Sequence, residues 1–144
     1  SGNEVLGSCE REVPVSLKDC PAYLKSGIVL PVIMNEKMKW AVPFSEQNQT
    51  KVIVITPPNM DAEYRYYAEE DDKYVFKCVK EDERVFTIYS LKDIFINKLL
   101  IYGNVHEIEV DGKKEEFSIV YENQTMTALR LKSDRWNKLT ITCK

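Results

Sequence analysis

The chain has little of the chemistry that most catalytic sites need. It contains one histidine, His106, so a Ser-His-Asp or Cys-His arrangement would depend on that residue alone. His106 lies in the alternating run Val105–Val110, where we interpret it as a strand residue that shares a face with Ile108 and Val110. We therefore predict that the protein is not an enzyme and that it has no catalytic residue.

Glycine and proline are also scarce, with five and six residues respectively. The scattered glycines form no phosphate-binding loop, and the low content of both residues excludes collagen-like and linker-rich classes. No run is apolar for long enough to cross a bilayer. Lysine and arginine are spread along the chain instead of clustering, which argues against a nucleic-acid partner. We expect one domain without a membrane span.

Patterns of metal ligands are missing as well. Zinc sites usually pair cysteine or histidine ligands at short spacings, and the cysteines here are far apart. The acidic run Glu69-Glu70-Asp71-Asp72 lacks the alternation of oxygen ligands that wraps around calcium. We interpret this run as a solvated hairpin turn, and we expect neither a metal nor a cofactor.

Four cysteines are present, and an even number without metal-ligand spacing predicts disulfides in an oxidising compartment. Four cysteines allow three connectivities, so the pairing is open. We favour Cys9–Cys20, which closes a short loop, and Cys78–Cys143, which would tie the last strand to the middle of a sheet. The predicted location is extracellular, either secreted or in a cell-surface ectodomain.

Two Asn-x-Thr tripeptides support that location, because this acceptor pattern matters only in a secreted chain. They begin at Asn48 and Asn123, and each lies between runs with strand-like alternation. We predict that both asparagines lie on solvent-exposed turns and are glycosylation sites.

The body of the chain alternates short β-type runs with turn signals. We predict that residues 1–27 form an irregular polar lead-in that disulfides pin to the body, and that residues 28–144 form a single domain that carries the runs. About eight to ten strands at regular spacing predict an all-β domain, an antiparallel β-sandwich with a closed β-barrel as the alternative.

Individual runs predict where strands lie in the sheets. Ile28–Ile33 contains Pro31, which cannot donate to a ladder, so we expect an edge or bulged strand. Lys51–Thr56 is apolar on both faces and is expected at the centre of a sheet. Lys37–Phe44 alternates and predicts another strand, with Trp40 on its apolar face.

Two strand pairs are predicted near the C-terminus. Asp111-Gly112 separates Val105–Val110 from Lys113–Tyr121 and favours a type I′ hairpin turn. Thr125–Leu131 and Lys138–Cys143 are expected to form a final pair, with Trp136 in the core or at its rim.

Ser90–Leu100 is the one segment that also suits a helix. Ser90 is a favourable N-cap, Asp93 suits the positive end of the helix dipole, and apolar residues recur at helical spacing. The competing interpretation is a strand that continues into Leu99–Tyr102. A short helix near residues 91–100 therefore stays open.

A dense group of tyrosines flanks the acidic turn, between the predicted strands Glu63–Tyr67 and Lys73–Val79. Tyrosine is enriched at recognition surfaces because it offers a large rigid face with a polar tip. The predicted partner-binding residues are Tyr64, Tyr66, Tyr67, Glu69, Glu70, Asp71, Asp72 and Tyr74. The acidic residues favour a basic protein partner.

These observations favour a module that binds an extracellular protein. The alternative is a lipocalin-like carrier with a small hydrophobic ligand inside a barrel. The Gly-x-Trp motif that marks lipocalins is not matched, because Met38 occupies the glycine position before Trp40.

Overall fold

The computed structural model of the chain describes Gly7 and residues 24–38, 49–69 and 72–144. These residues contain strands and no helix. The strands are β1 Val29–Asn35, β2 Gln49–Ile55, β3 Ala62–Glu69, β4 Asp72–Lys80, β5 Val85–Ile94, β6 Lys98–Ile101, β7 Val105–Val110, β8 Lys113–Lys114, β9 Phe117–Glu122, β10 Thr127–Leu131 and β11 Trp136–Cys143. No described residue belongs to a helix of the kind that crosses a membrane.

The strands form two open sheets. One has the order β1-β2-β6-β10-β9, and the other has the order β3-β4-β5-β11-β7-β8. Neighbouring strands run antiparallel except for β2 and β6, which are parallel. Neither sheet closes into a barrel, so the predicted all-β sandwich is confirmed in preference to the barrel alternative.

The main core lies between the two sheets and follows the alternation of the strands. Ile53, Leu99 and Leu129 contribute from the five-stranded sheet, while Ile88 and Ile141 contribute from the six-stranded sheet. All five are fully buried. Burial of this apolar surface is the main favourable term in folding, at about 25 cal/mol per Å².

A second apolar cluster covers the opposite face of the five-stranded sheet. Val54 and Leu100 lie in it with Met38, and the Tyr121 hydroxyl donates to the carbonyl oxygen of Met38 at 2.6 Å. The predicted central strand is therefore confirmed, since β2 buries residues on both of its faces between β1 and β6. Of the predicted edge or bulged strand at Pro31, the edge position holds among the described strands, where β1 is the outermost strand beside β2. Residues 39–44 of the predicted strand Lys37–Phe44, including Trp40, lie outside the described residues.

The start of the domain is held to the end of β2. Thr56 Oγ1 donates to the carbonyl oxygen of Lys25 at 2.6 Å and accepts from the Ile28 amide at 2.9 Å. The Gly27 amide donates to the Thr56 carbonyl at 3.1 Å, and its φ of 73° is one that glycine adopts without strain. These contacts fix residues 25–28 against the five-stranded sheet.

The Asp111-Gly112 turn is confirmed, with φ values of 50° and 85° as a type I′ turn requires. The predicted second strand, Lys113–Tyr121, is wrong as one element. Only β8 pairs with β7, and the chain then crosses to the other sheet, where β9 pairs with β10. The Glu115 carboxylate anchors this crossing through the Ser133 amide and hydroxyl.

The predicted final pair of Thr125–Leu131 with Lys138–Cys143 is also wrong. β10 lies between β6 and β9, whereas β11 lies between β5 and β7 in the other sheet. The polar turn at residues 132–135 is therefore a connection between sheets. Turn signals in the sequence are the same for a hairpin and for such a crossing.

The predicted helix near residues 91–100 is wrong. β5 continues to Ile94, and β6 begins at Lys98. A helix would have placed Leu91, Ile94 and Phe95 on one buried face, but Leu91 is 83% exposed and Phe95 is 74% exposed. Pairing of β5 with β11 determines the conformation instead of local helix propensity.

Trp136 is the largest fully buried side chain of the described residues. Its Nε1 donates to the carbonyl oxygen of Ile96 at 2.9 Å, and its ring centroid lies 6.4 Å from that of Phe76. The indole thus joins β11, β4 and the loop after β5. Its predicted place in the core is confirmed.

We expect Trp136→Phe to lower the free energy of unfolding by about 2–3 kcal/mol, because it opens a cavity and leaves the Ile96 carbonyl without this donor. Leu91→Ala is the matched control, and the exposed side chain should change stability by less than about 0.5 kcal/mol. Urea unfolding followed by far-UV circular dichroism measures both. Equal stability of the two variants would show that Trp136 does not anchor the core.

Candidate protein-binding surface

The pairing of β5 with β11 contains a large irregularity. Ile94 lies opposite Trp136, and Tyr89 lies opposite Lys138. These two pairs are five positions apart on β5 but two positions apart on β11. Three extra residues must therefore be accommodated on β5, and we call residues 89–94 the β5 bulge. Bulges of this kind re-aim side chains and recur next to functional sites.

The bulge exposes large apolar side chains on the outer side of the six-stranded sheet. Leu91 is 83% exposed and Tyr89 is 39% exposed, and they occupy alternate positions of one strand. Alternate residues share a sheet face and lie about 7 Å apart. Phe95, at 74% exposure, follows the end of the strand. These three residues form the largest group of exposed apolar side chains along one short stretch of the described chain.

Polar contacts hold both sides of the bulge in place. Asp93 Oδ2 lies 3.6 Å from Arg135 Nη1, and Asp93 Oδ1 accepts from Asn137 Nδ2 at 3.4 Å. Lys138 Nζ lies 5.5 Å from the centroid of the Tyr89 ring, within reach of a cation–π interaction. Residues 135–138, at the start of β11, therefore contact the segment of β5 that carries the exposed side chains.

The inner side of the bulge borders the main core. Lys92 Nζ lies 4.0 Å from the ring centroid of Tyr74, which stacks on Phe76 with a centroid distance of 5.9 Å. Ser90 Oγ is buried and is the one buried side-chain oxygen or nitrogen of the described residues without a hydrogen-bond partner. Leaving a buried hydroxyl unpaired costs about 1 kcal/mol or more.

Tyr74 corrects the sequence prediction. It was expected on a contact surface, but it is only 9% exposed and belongs to the main core. Its position on β4 alternates with Lys73 and Val75, so the pleat turns it toward the other sheet. Tyr74 stabilises the hairpin from inside and is not available to a partner.

The remaining predicted residues lie on a confirmed hairpin, β3–β4. Tyr64 is the register partner of Phe76, Tyr66 is the partner of Tyr74, and Tyr67 is the partner of Lys73. Glu69 and Asp72 end and begin the two strands, and Glu70 and Asp71 lie outside the described residues. A contact role for Tyr64, Tyr66, Tyr67 and the acidic residues stays a prediction.

His106 lies on β7, as expected, but not on the predicted face. The register with β11 shifts between Glu107–Thr142 and Val105–Cys143. Val105 therefore takes a core position, and the His106 side chain is exposed. Within the described part of the chain, no three His, Cys, Asp or Glu side chains come together as a metal site would require.

The predicted disulfide Cys78–Cys143 is wrong, since both thiols are free. Cys78 on β4 is the register partner of Ile88 on β5, and Ile88 is the register partner of Leu139 on β11. β5 therefore lies between the strands that carry Cys78 and Cys143. Two strand spacings and four residues along β11 separate their Cα atoms by about 16 Å, whereas a disulfide requires about 4.4–6.8 Å. Cys9 and Cys20 lie outside the described residues.

Both thiols are protonated at neutral pH and are therefore weak nucleophiles. Burial, with a smaller contribution from the negative charge of Asp61, raises the pKa of Cys78 from 9.0 to about 12. Burial also raises the pKa of Cys143. A nucleophilic cysteine needs a depressed pKa, so this environment opposes catalysis at either residue.

Asn123 lies in the turn between β9 and β10, and its side chain is exposed, as predicted. Its glycosylation stays a prediction. Asn48 lies outside the described residues.

An open depression of about 390 Å³ lies beside β9 and β10. Its wall includes Arg130, Asp134 and the ion pair of Lys132 with Glu116, whose Nζ and Oε2 are 3.0 Å apart. The hydrogen bond that Lys132 Nζ donates to Glu116 raises the pKa of Lys132. A wall that carries charges of both signs does not select a ligand of either sign.

Sequence reasoning missed the β5 bulge as a contact surface because the spacing of its apolar residues suggested a helix. The feature of the sequence that indicates this surface is Leu91, an apolar residue between the polar residues Ser90 and Lys92 in a strand. Only the register with β11 shows that the segment has three residues more than its partner.

In comparisons with known proteins, no family model, curated protein or solved structure matches the chain.

The free thiols lead to a labelling prediction. Iodoacetamide at pH 8 should leave Cys78 unmodified in the folded protein, because its thiol is buried and protonated, and should modify Cys78 and Cys143 once urea unfolds the chain without reductant. Peptide mass spectrometry locates the labels. A linked Cys78–Cys143 peptide, or failure to label either residue after unfolding, would restore the disulfide.

Proposed function

We propose that this chain is an extracellular recognition module that binds a protein partner without catalysis; because Cys78 and Cys143 are free, the location rests on the Asn-x-Thr tripeptides. The contact surface combines the β5 bulge with the adjoining β3–β4 hairpin. The observation that carries the proposal is the presentation of Tyr89 and Leu91 on the outer face of a sheet whose other face contributes to the main core.

Energetics support this use of the bulge. An exposed leucine on a sheet face contributes nothing to folding, whereas burying it against a partner stabilises a complex by about 2 kcal/mol. Aromatic anchors with polar surroundings are typical of interface hot spots. Tyr89 fits that description, since Lys77 lies opposite it on β4 and Lys138 lies opposite it on β11.

The charges around the surface have opposite signs at its two ends. Lys77 and Lys138 flank Tyr89. The acidic run Glu69–Asp72 ends at the first residue of β4, which is five residues and about 17 Å along the strand from Lys77. A partner with a basic patch opposite the acidic turn and carboxylates opposite the lysines would match both ends.

The alternative of a hydrophobic carrier has less support. A carrier needs an enclosed apolar space, and the sheets are open. The depression found within the described residues is open and bordered by charged side chains.

Affinity capture from the native extracellular fluid, followed by mass spectrometry, tests the proposal. We expect a partner retained by the wild type and lost with Leu91→Asp, because the carboxylate would be buried in the contact. Ile33→Asp is the matched control, since Ile33 is 57% exposed but lies on β1 of the other sheet. A partner lost equally with both variants, or with neither, would place the contact elsewhere.

Binding kinetics should separate the two parts of the surface. Tyr89→Ala should weaken binding about thirtyfold, mainly through faster dissociation, as expected for an anchor that contributes about 2 kcal/mol. Converting the acidic turn to amides should mainly slow association, and only at low salt, since screening acts over about 8–10 Å. Surface plasmon resonance at two ionic strengths measures both. Unchanged kinetics in both variants would contradict the assignment.

A further inference from the structure

We propose that Lys77, Tyr89 and Lys138 together bind one oxyanion of the partner, and that Leu91 packs against an apolar side chain next to that oxyanion. We call the first three residues the anion site. The inference rests on the proposed function, and it names the chemical group that the partner brings to the β5 bulge. It follows from three hydrogen-bond donors on one row of the six-stranded sheet.

The residues of the anion site lie side by side on three adjacent strands. Tyr89 on β5 is the register partner of Lys77 on β4 and of Lys138 on β11. Register partners share a face of the sheet, and neighbouring strands are about 4.8 Å apart, so the Cα atoms of the two lysines are about 10 Å apart. Lysine carries its ammonium on a flexible four-carbon stem, and both charges can therefore approach one group above the tyrosine ring.

The three donors are available to a partner. Lys138 Nζ lies 5.5 Å from the centroid of the Tyr89 ring, so its charge is already on the tyrosine side. Neither Lys77 Nζ nor Lys138 Nζ lies within 4.0 Å of a carboxylate oxygen of the described residues. Within the same part of the chain, the Tyr89 hydroxyl makes no hydrogen bond, and the residue is 39% exposed.

Carboxylates at the two ends of this row are engaged by other groups. Glu63 is the register partner of Lys77, but its Oε1 accepts from Arg65 Nε at 2.8 Å and lies 2.8 Å from Arg65 Nη2. The Asp111 amide donates to the Lys138 carbonyl, and Asp111 Oδ1 accepts from the Lys138 amide at 2.9 Å. The row therefore carries two positive charges that no ion pair of the described residues neutralises.

This set of donors selects an oxyanion. Two ammonium groups and a phenol hydroxyl all donate hydrogen bonds, and the ammonium groups cannot accept them. Bonds from a charged donor to an ionised oxygen are about twice as strong as bonds between neutral groups, whereas a cation at this place would be repelled. On a protein partner, the carboxylate of an acidic residue and the sulfate ester of a modified tyrosine both supply such an oxygen.

Leu91 determines what lies next to the oxyanion. It is two positions from Tyr89 on the same strand, about 7 Å away, and is 83% exposed. An apolar side chain of the partner that packs on Leu91 removes apolar surface of both molecules from water. Exclusion of water also strengthens the neighbouring charge-assisted bonds, because electrostatic interactions grow as the local dielectric constant falls. The partner segment therefore carries an anionic group beside an apolar side chain.

Titration of the isotope-labelled full chain, followed by nuclear magnetic resonance, tests the anion site. The probes are the N-acetyl methylamides of glutamate, of O-sulfotyrosine and of glutamine, which is the neutral control with the shape of glutamate. We expect the two anionic probes to shift the amide signals of Lys77, Tyr89 and Lys138, and the glutamine probe to leave them unchanged. The probe that binds more tightly identifies the partner's group as a carboxylate or a sulfate ester. Equal shifts with the neutral probe, or none with either anion, would overturn the proposal.

Variants of the anion site separate its three donors. Lys77→Met and Lys138→Met keep most of the side-chain length and remove the charge, so each should weaken binding of the anionic probes about tenfold. Tyr89→Phe keeps the ring and removes the hydroxyl, and it should weaken binding about fivefold. Lys113→Met is the matched control, since Lys113 is exposed on β8 of the same sheet. An equal loss with Lys113→Met would show a general attraction to positive charge and would overturn the site.

Partner capture with the same variants separates failure of the anion site from failure of the proposed function. We expect Lys77→Met and Lys138→Met to retain much less partner than Lys113→Met does. A partner that is lost with Leu91→Asp but fully retained by both lysine variants of the site would keep the binding surface and overturn the anion site. Anionic probes that bind as expected, without any captured partner, would keep the anion site and contradict recognition of a protein.

Discussion

The contact between the Trp136 indole and the Ile96 carbonyl fixes how the two halves of the six-stranded sheet meet. Trp136 is fully buried and lies opposite Ile94, so the end of β5 is held at one place on β11. Tyr89 is held at a second place, opposite Lys138. Between these two points β5 has three residues more than β11, and the extra residues form the β5 bulge.

The two sheets therefore present different surfaces to solvent. The six-stranded sheet presents side chains, because the bulge turns Leu91 outward from a strand that is paired on both sides. In the five-stranded sheet, β9 is the last of the described strands and pairs with β10. The arrangement in the six-stranded sheet suits selective contact with a protein.

Much of the architecture was predictable because strands are encoded locally. The two-sided apolar run of β2, the proline of β1 and the Asp111-Gly112 turn each have one structural meaning. Partners of later strands were not predictable, since a turn between sheets and a hairpin turn use the same residues. The bulge and the free Cys78 depend on register, which no single segment contains.

Site-specific photo-crosslinking tests the central claim most directly. A photoreactive amino acid at position 91 places the probe at the centre of the proposed contact, and the same residue at position 33 places it on the other sheet. The proposed surface predicts a covalent adduct with a protein partner from position 91 and none from position 33. An adduct from position 33 alone, or equal adducts from both, would contradict a binding surface at the β5 bulge.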